Sequence, residues 1–319
     1  MSQLQNSAPI ENSTSTEKRH VGVAEPVPDW SKALVTWGWA WQLHHYGYGL
    51  LFLVVGVYGM WLMKTLQKTS ARRSRNYFMC IAFLISFFGW SRATVLILDP
   101  YTFHNPVHFP QSLGLLMFSM GYPCLTSGFF LINWSLIEVT KLQLLPSRIH
   151  QRKVLVLVLT VHFMLVVSFD VSFSFFPSTH MLLFICRSFF VLWGILLFGG
   201  FIFGGLKIQR QVRNNTLILN TMGQMRSTNT SAAGSRPDDS QAVVGAASHA
   251  RTGKVMKIAR RAAFSGLLIC IAQIYALWEF YIFYNNDIQP KAWPWWSYQT
   301  CFRAIELFMV SQMFSIVRR

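Results

Sequence analysis

Charge is scarce in this chain. Only 13% of its 319 residues are Asp, Glu, Lys or Arg, where a soluble domain carries about one-quarter. Acidic residues are scarcer still, 12 against 28 Lys and Arg. That shortage excludes an ordinary soluble surface. Cysteine is sparse as well: Cys80, Cys124, Cys186, Cys270 and Cys301 lie in or beside apolar runs and form no CxxC, which excludes a zinc ribbon or a thiol redox motif. Residues 1–30 hold no short apolar core ahead of a small-residue cleavage site. No secretory signal peptide is therefore expected, and the first apolar helix serves as its own anchor. Catalytic patterns are missing too, with neither GxSxG nor a helical HExxH present. There is no TVGYG filter and no arginine ladder. The last apolar segment has no lysine for a retinal Schiff base, and it lacks Asn-Pro-x-x-Tyr. The third ends Trp134-Ser135-Leu136-Ile137-Glu138, without an acidic-Arg-aromatic triplet. The switches of rhodopsin-like receptors are thus absent. A non-enzymatic protein without cofactor is expected.

What is present is apolar surface. Just over half the residues are hydrophobic, with 27 Phe and 12 Trp. A helix needs ~20 apolar residues to cross a bilayer, and seven stretches qualify: about 46–63, 77–98, 112–137, 154–175, 181–206, 262–284 and 296–316. The expected fold is an all-α membrane protein, a seven-helix bundle over 34–319. Ahead of it, 1–33 reads as a disordered tail with a glycosylation sequon at Asn12. Within it, 34–206 carries helices one to five and 262–319 carries helices six and seven. Between them, 207–261 reads as a basic loop whose Ser/Thr/Ala/Gly-rich middle, 222–250, is expected to be disordered. Its flanks can extend their helices, because Arg251, Lys254, Lys257 and Arg261 recur at helical spacing.

The net charge of +16 invites nucleic acid, but the cations are dispersed among short loops and helix ends. That is a topology signal, and no nucleic-acid partner is expected. Lys64, Lys68, Arg72, Arg73 and Arg75 follow the first segment. Lys141, Arg148, Arg152 and Lys153 follow the third, and ten Lys or Arg fill 207–261. The loops after the second and fourth have none, and the loop after the sixth has only Lys291. Cations cluster on the cytosolic side, so the N-terminus is expected outside and the C-terminus in the cytosol. A multi-pass protein of the plasma membrane is expected.

With that orientation a layer of ionic residues falls in the outer half: Arg92, Asp170, Arg187, Glu279, Arg303 and Glu306. Each lies about one to two helical turns from the outer boundary. Arg303 and Glu306 are spaced i,i+3 and can meet on one face. Two readings stand side by side. The charges form an ion-pair network that locks the bundle, or they line a polar cavity open to a small-molecule ligand from outside. A transporter or channel would use the same charges as a path. The bilayer is the constant partner. Region 207–261 faces a cytosolic protein or anionic lipid.

Other residues stand out. Pro123, in mid-helix, predicts a kink. Gly200 and Gly204 have GxxxG spacing for close helix approach, most simply within the bundle. Trp37, Trp41, His44 and Tyr48 share one face and read as an interfacial aromatic belt, with Trp293-Pro294-Trp295-Trp296 as a second. His162 reads as a satisfied core residue. His104 and His108 have helical spacing, but Pro106 lies between them, so no metal site is expected there.

Four collinear blocks carry a family resemblance: Trp37-Gly38-Trp39-Ala40-Trp41 with His44; Ser91-Arg92-Ala93 through Asp99-Pro100-Tyr101; Tyr122-Pro123-Cys124-Leu125-Thr126-Ser127; and Thr140-Lys141-Leu142-Gln143-Leu144-Leu145-Pro146. Together they resemble the membrane domain of proline-rich transmembrane proteins 3 and 4, over 34–210 and extending over 34–316. The residues ahead of 34 hold only a few prolines, unlike the long proline-rich ectodomain of that family, so no role of that ectodomain is expected to transfer. The resemblance implies a multi-pass membrane protein and adds no catalytic residue.

Overall fold

The computed structural model describes residues 26–68, 72–98, 101, 111–139, 152–176, 180–230, 239–286 and 288–318. Asn12, His104 and His108 lie outside them. Among the described residues the secondary structure is helical, and seven helices are long and apolar enough to cross a membrane. The candidate spans are Trp39–Gln67, Arg75–Leu98, Leu113–Ser135, Lys153–Phe173, Phe184–Lys207, Lys257–Phe283 and Ala292–Val317.

The chain enters through α1 (Trp30–Trp37), whose first turn is capped by Asp29. The Asp29 carboxylate accepts from Ser31 N at 3.2 Å and from Ser31 Oγ at 2.6 Å. The Ser31 hydrogen bond holds that carboxyl below its usual range. Helix therefore begins at Trp30, inside the stretch expected as tail, and Ala33 is 1% exposed. A cap and a tryptophan that finds a core are enough to order it. Gly38, at φ 50°, takes a left-handed conformation that breaks the helix.

Helix resumes as α2 (Trp39–Gln42), widens through a π-type turn (Leu43–Gly47) and continues as α3 (Tyr48–Gln67). Next come α4 (Arg72–Leu98), α5 (Gln111–Val139) and α6 (Arg152–Phe175). The last three are α7 (His180–Thr230), α8 (Asp239–Asn286) and α9 (Ala292–Val317). Helices α7 and α8 pack together and run 51 and 48 residues. Residues 222–230 and 239–250 are thus helical, against the disorder expected for 222–250. The Ala-rich run Gln241–Ala250 explains the second half, because alanine is the best helix former.

Successive spans alternate in direction. Trp41, the end of α4 with Tyr101, and the start of α9 meet at one end of the bundle, here the tryptophan end. Lys64, Lys68 and Arg75 mark the opposite, basic end. Helices α3 and α4 touch through backbone: a Cβ at Gly89 would lie 2.4 Å from Gly56 N and 2.7 Å from Phe52 O. Small residues allow this approach where water supplies no hydrophobic drive. Gly200 and Gly204 sit against Asn133 of α5, so the GxxxG pair packs within the chain. Many of the remaining large apolar side chains face outward, among them Val35, Val156, Leu196, Ile271 and Trp278. That is the surface a bilayer requires.

Candidate functional site

The aromatic face expected as an interfacial belt is buried. Trp37 is 2% exposed, Trp41 6% and His44 1%. Their rings join Trp30 and Trp295 in a box, with Trp37 stacked on Trp41 at 5.4 Å and on Trp295 at 5.5 Å. The indole N–H groups find backbone acceptors, as buried tryptophans require. Trp37 Nε1 donates to Ala292 O (3.1 Å), Trp295 Nε1 to Pro26 O (2.8 Å) and Trp296 Nε1 to Ala40 O (3.2 Å). The break at Gly38 lets α1 fold back as a lid, and this turns the face inward. In the second expected belt, Trp293 is half exposed while Trp295 is buried.

Below the box a polar chain descends. Arg303 Nε donates to the Tyr101 hydroxyl at 3.3 Å. That hydroxyl also shares a hydrogen bond with His44 Nε2 at 2.9 Å, and His44 Nδ1 shares one with Thr300 Oγ1 at 2.9 Å. Both imidazole nitrogens are thereby engaged. Tyr101→Phe should cost about 1–3 kcal/mol, since it strips a buried partner from His44 and Arg303. A thermal melt of purified protein checks it, and an unchanged Tm would count against this chain.

The ionic centre follows. Glu306 accepts at Oε1 from Arg92 Nε (3.1 Å) and from the same guanidinium's second terminal nitrogen (2.6 Å). It accepts at Oε2 from Arg303 (2.6 Å), the expected i,i+3 pair. Arg92, Arg303 and Glu306 are 3%, 1% and 1% exposed. Two guanidiniums share this one carboxylate, which concentrates positive charge here. Aromatic faces temper it: Phe118 lies 4.9 Å from the Arg92 guanidinium and 5.4 Å from that of Arg303, and Phe88, Tyr101 and Phe302 add further rings.

Helix α5 is bound into this centre through backbone carbonyls ahead of its proline. Pro123 supplies no N–H and lies within the continuous helix. One turn earlier, carbonyls accept from α4, Met117 O from Ser91 Oγ and Phe118 O from Arg92 (2.6 Å). A Cβ at Gly121 would sit 2.5 Å from the Arg92 guanidinium, so glycine there makes room for the ion.

Asp170 and Arg187 stand apart from the triad. Asp170, 3% exposed, is hydrogen-bonded by Ser119 and lies in the field of Arg187. Arg187 packs on the Phe280 ring at 5.6 Å. With Arg92, both border a cavity offering ≈ 40 Å³ to water centres, walled by Phe118, Tyr122, Phe190 and Phe302. A smaller space, ≈ 20 Å³, lies beside Arg187, Glu279, Tyr275 and Gln299 and reaches Pro26 and Trp295. Glu279 is half-buried there and accepts from Tyr275 (2.7 Å). The six charges thus divide into a locked triad, a chamber pair and a rim carboxylate. Sequence reasoning missed Tyr101, Ser119, Tyr122 and Gln273, although a lone uncharged polar residue in an apolar run was an available signal.

Nearer mid-depth, His162 bonds Thr126 Oγ1 (3.1 Å) and stacks on Trp193 at 4.4 Å. Its Nδ1 has no hydrogen-bond partner among the described residues, so only one of its nitrogens is satisfied. Gln312 Nε2 donates to Ser265 Oγ (2.7 Å), tying α8 to α9.

Seven apolar spans around a buried ionic layer define a multi-pass helical membrane protein. The chain matches the proline-rich transmembrane protein 3 domain over residues 13–318 and belongs to that family. The match starts ahead of the resemblance read from sequence, at a segment that leads into Pro26 and α1. No curated protein and no solved structure matches the chain.

Proposed function

We propose a non-enzymatic membrane protein of receptor-like seven-helix topology, with the tryptophan end outside and the basic end in the cytosol. Its polar chamber takes a small ligand from outside. One observation carries this reading: Asp170, Arg187 and Arg92, from three different helices, border one aromatic-walled space. Intramembrane charges that converge on a cavity are a functional site by default, and bundles bind small molecules between helices. At the basic end, Arg210, Arg213, Lys257, Arg260 and Arg261 are exposed. They suit anionic lipid of a cytosolic leaflet, at about 1 kcal/mol each, and α7–α8 offers a surface to a cytosolic protein. The plasma membrane is the proposed location.

A glycosylation map tests the orientation. Asn12 should carry sugar in cells, while the sequons at Asn214 and Asn229 should not. Sugar at either of these reverses the assignment. A melt of wild-type protein against a library of small polar compounds tests the chamber: at least one class should raise Tm.

The saturated triad favours a second reading, a structural scaffold in which the charges only lock helices. It expects that no compound shifts Tm. A transport reading needs a polar path onward to the basic end, where isolated pairs such as Gln312–Ser265 stand. Flux in proteoliposomes decides that.

A further inference from the structure

We propose that Pro26-Val27-Pro28 is a plug in the mouth of the bundle at its tryptophan end, latched by the Trp295 indole, and that a solute reaches the chamber when this segment lifts. The plug rests on the reading of the chamber as a site reached from that end, and its test reads access rather than binding.

The first observation is where the segment lies. The smaller space, ≈ 20 Å³, is bordered by Pro26, Tyr275, Glu279, Pro290 and Trp295. Arg187 borders this space and the larger chamber as well. The two spaces are thus neighbours across one side chain, and Pro26 stands in the wall of the outer one. Pro26 and Pro28 are buried, although helix begins only at Trp30.

The second is why this stretch suits the place. Proline has no backbone N–H, so burying two of them strands no donor. Each ring fixes φ, and Val27, ahead of a proline, is pushed to an extended conformation. The segment therefore arrives stiff and loses little freedom on docking. The Pro26 carbonyl does need a donor, and Trp295 Nε1 supplies it at 2.8 Å. Asp29 then caps α1 through Ser31 N, so the plug ends where the helix starts.

The third is that the plug is separable from the helix behind it. Helix α1 has holds of its own: Trp37 Nε1 donates to Ala292 O at 3.1 Å, and Ala33 and Trp37 are buried. Those holds stay in place when 26–28 lifts. A short stretch without secondary structure, ahead of a packed helix, belongs to the low-stability end of a fold and opens locally. Trp295 serves both parts, edge-on to Trp30 at 5.6 Å and stacked on Trp37 at 5.5 Å. Its N–H is the piece that holds the plug.

Cys186 is a built-in reporter, because it borders the chamber and is buried. The full chain, purified, is treated with iodoacetate, whose charge keeps it out of the apolar phase, and carboxymethylation of each cysteine is timed by mass spectrometry. Wild-type Cys186 should react slowly. Trp295→Phe keeps a ring and removes the N–H, and should speed Cys186 about 2- to 12-fold, the range for losing one neutral hydrogen bond. Pro26→Gly, which frees φ outside every helix, should speed it too. Trp293→Phe, at a half-exposed neighbour of the latch, should not. Cys124 and Cys270 are buried and border neither space, so their rates should stay at the wild-type value and report any general loosening. If Trp295→Phe does not fold, Pro26→Gly decides. The plug is overturned if Cys186 reacts no faster once Pro26 is replaced, or if Cys124 and Cys270 accelerate with it. Rapid labelling of wild-type Cys186 overturns it as well. Ungated labelling beside compounds that raise Tm removes the plug and leaves the ligand site. Gated labelling with no compound effect leaves the plug and removes the ligand.

Discussion

Glu306→Gln should destabilise the protein by about 3–5 kcal/mol, enough to leave much of it misfolded. Removing the anion leaves two guanidiniums, at 3% and 1% exposure, facing each other in a medium that cannot hydrate them. Breaking a buried pair from one side carries that cost. The loss is larger than the net worth of the pair, because forming it already required desolvating three charges. Replacing the whole triad tells the two apart. Arg92→Met, Glu306→Leu and Arg303→Met together keep volume and remove all three charges, and should regain most of the lost stability. Fluorescence-detected size exclusion with a melting series reads both variants. A Glu306→Gln protein that elutes and melts like wild type would remove the triad as the lock between α4 and α9.

Gly89→Val should abolish the monodisperse peak, and Gly89→Ala should cost at least about 1–3 kcal/mol, the usual range for overpacking. The added carbon would stand 2.4 Å from Gly56 N and 2.8 Å from Gly56 Cα. Backbone atoms cannot swing aside as a side-chain tip can. Relief would require α3 and α4 to separate, which also strains the Ser86 Oγ to Gly56 O bond (2.9 Å). Gly199→Ala is the control, since nothing lies within 4 Å of the added atom there. Its Tm should match wild type. Equal melting of Gly89→Ala and Gly199→Ala would deny that the helices meet backbone to backbone.

How far the sequence could be read follows from the kind of signal each feature leaves. The seven spans were legible because length and hydropathy are collective, and alternating cation-rich loops reinforce them. The six intramembrane charges were legible individually, since each is costly alone. Their grouping was not. Arg303 and Glu306 announce themselves by local spacing, but Arg92 is 214 positions from Glu306, and only packing brings them together. Likewise, nothing local separates Asp170, which borders the chamber, from Glu306, which the triad saturates. The tryptophans were misread because a periodic aromatic face looks alike whether lipid or protein covers it. Gly38 was the missed clue, being the break that folds α1 over the bundle end. Residues 222–230 and 239–250 were misread because a Ser/Thr/Ala-rich run is compatible with either helix or coil, and the packing of α7 on α8 decides.

The reach of α7 carries the helix well past the cations that follow its span. At 1.5 Å per residue, Arg226 stands about 28 Å along the axis beyond Lys207, where the candidate span ends. At physiological salt an electrostatic field is screened over about 8 Å. Under the proposed orientation Arg210 and Arg213, within the next two turns, lie within reach of a headgroup field, whereas the helix itself runs on beyond it as a mast. Lipid composition would tune the foot of that mast and leave its tip to whatever the aqueous phase brings.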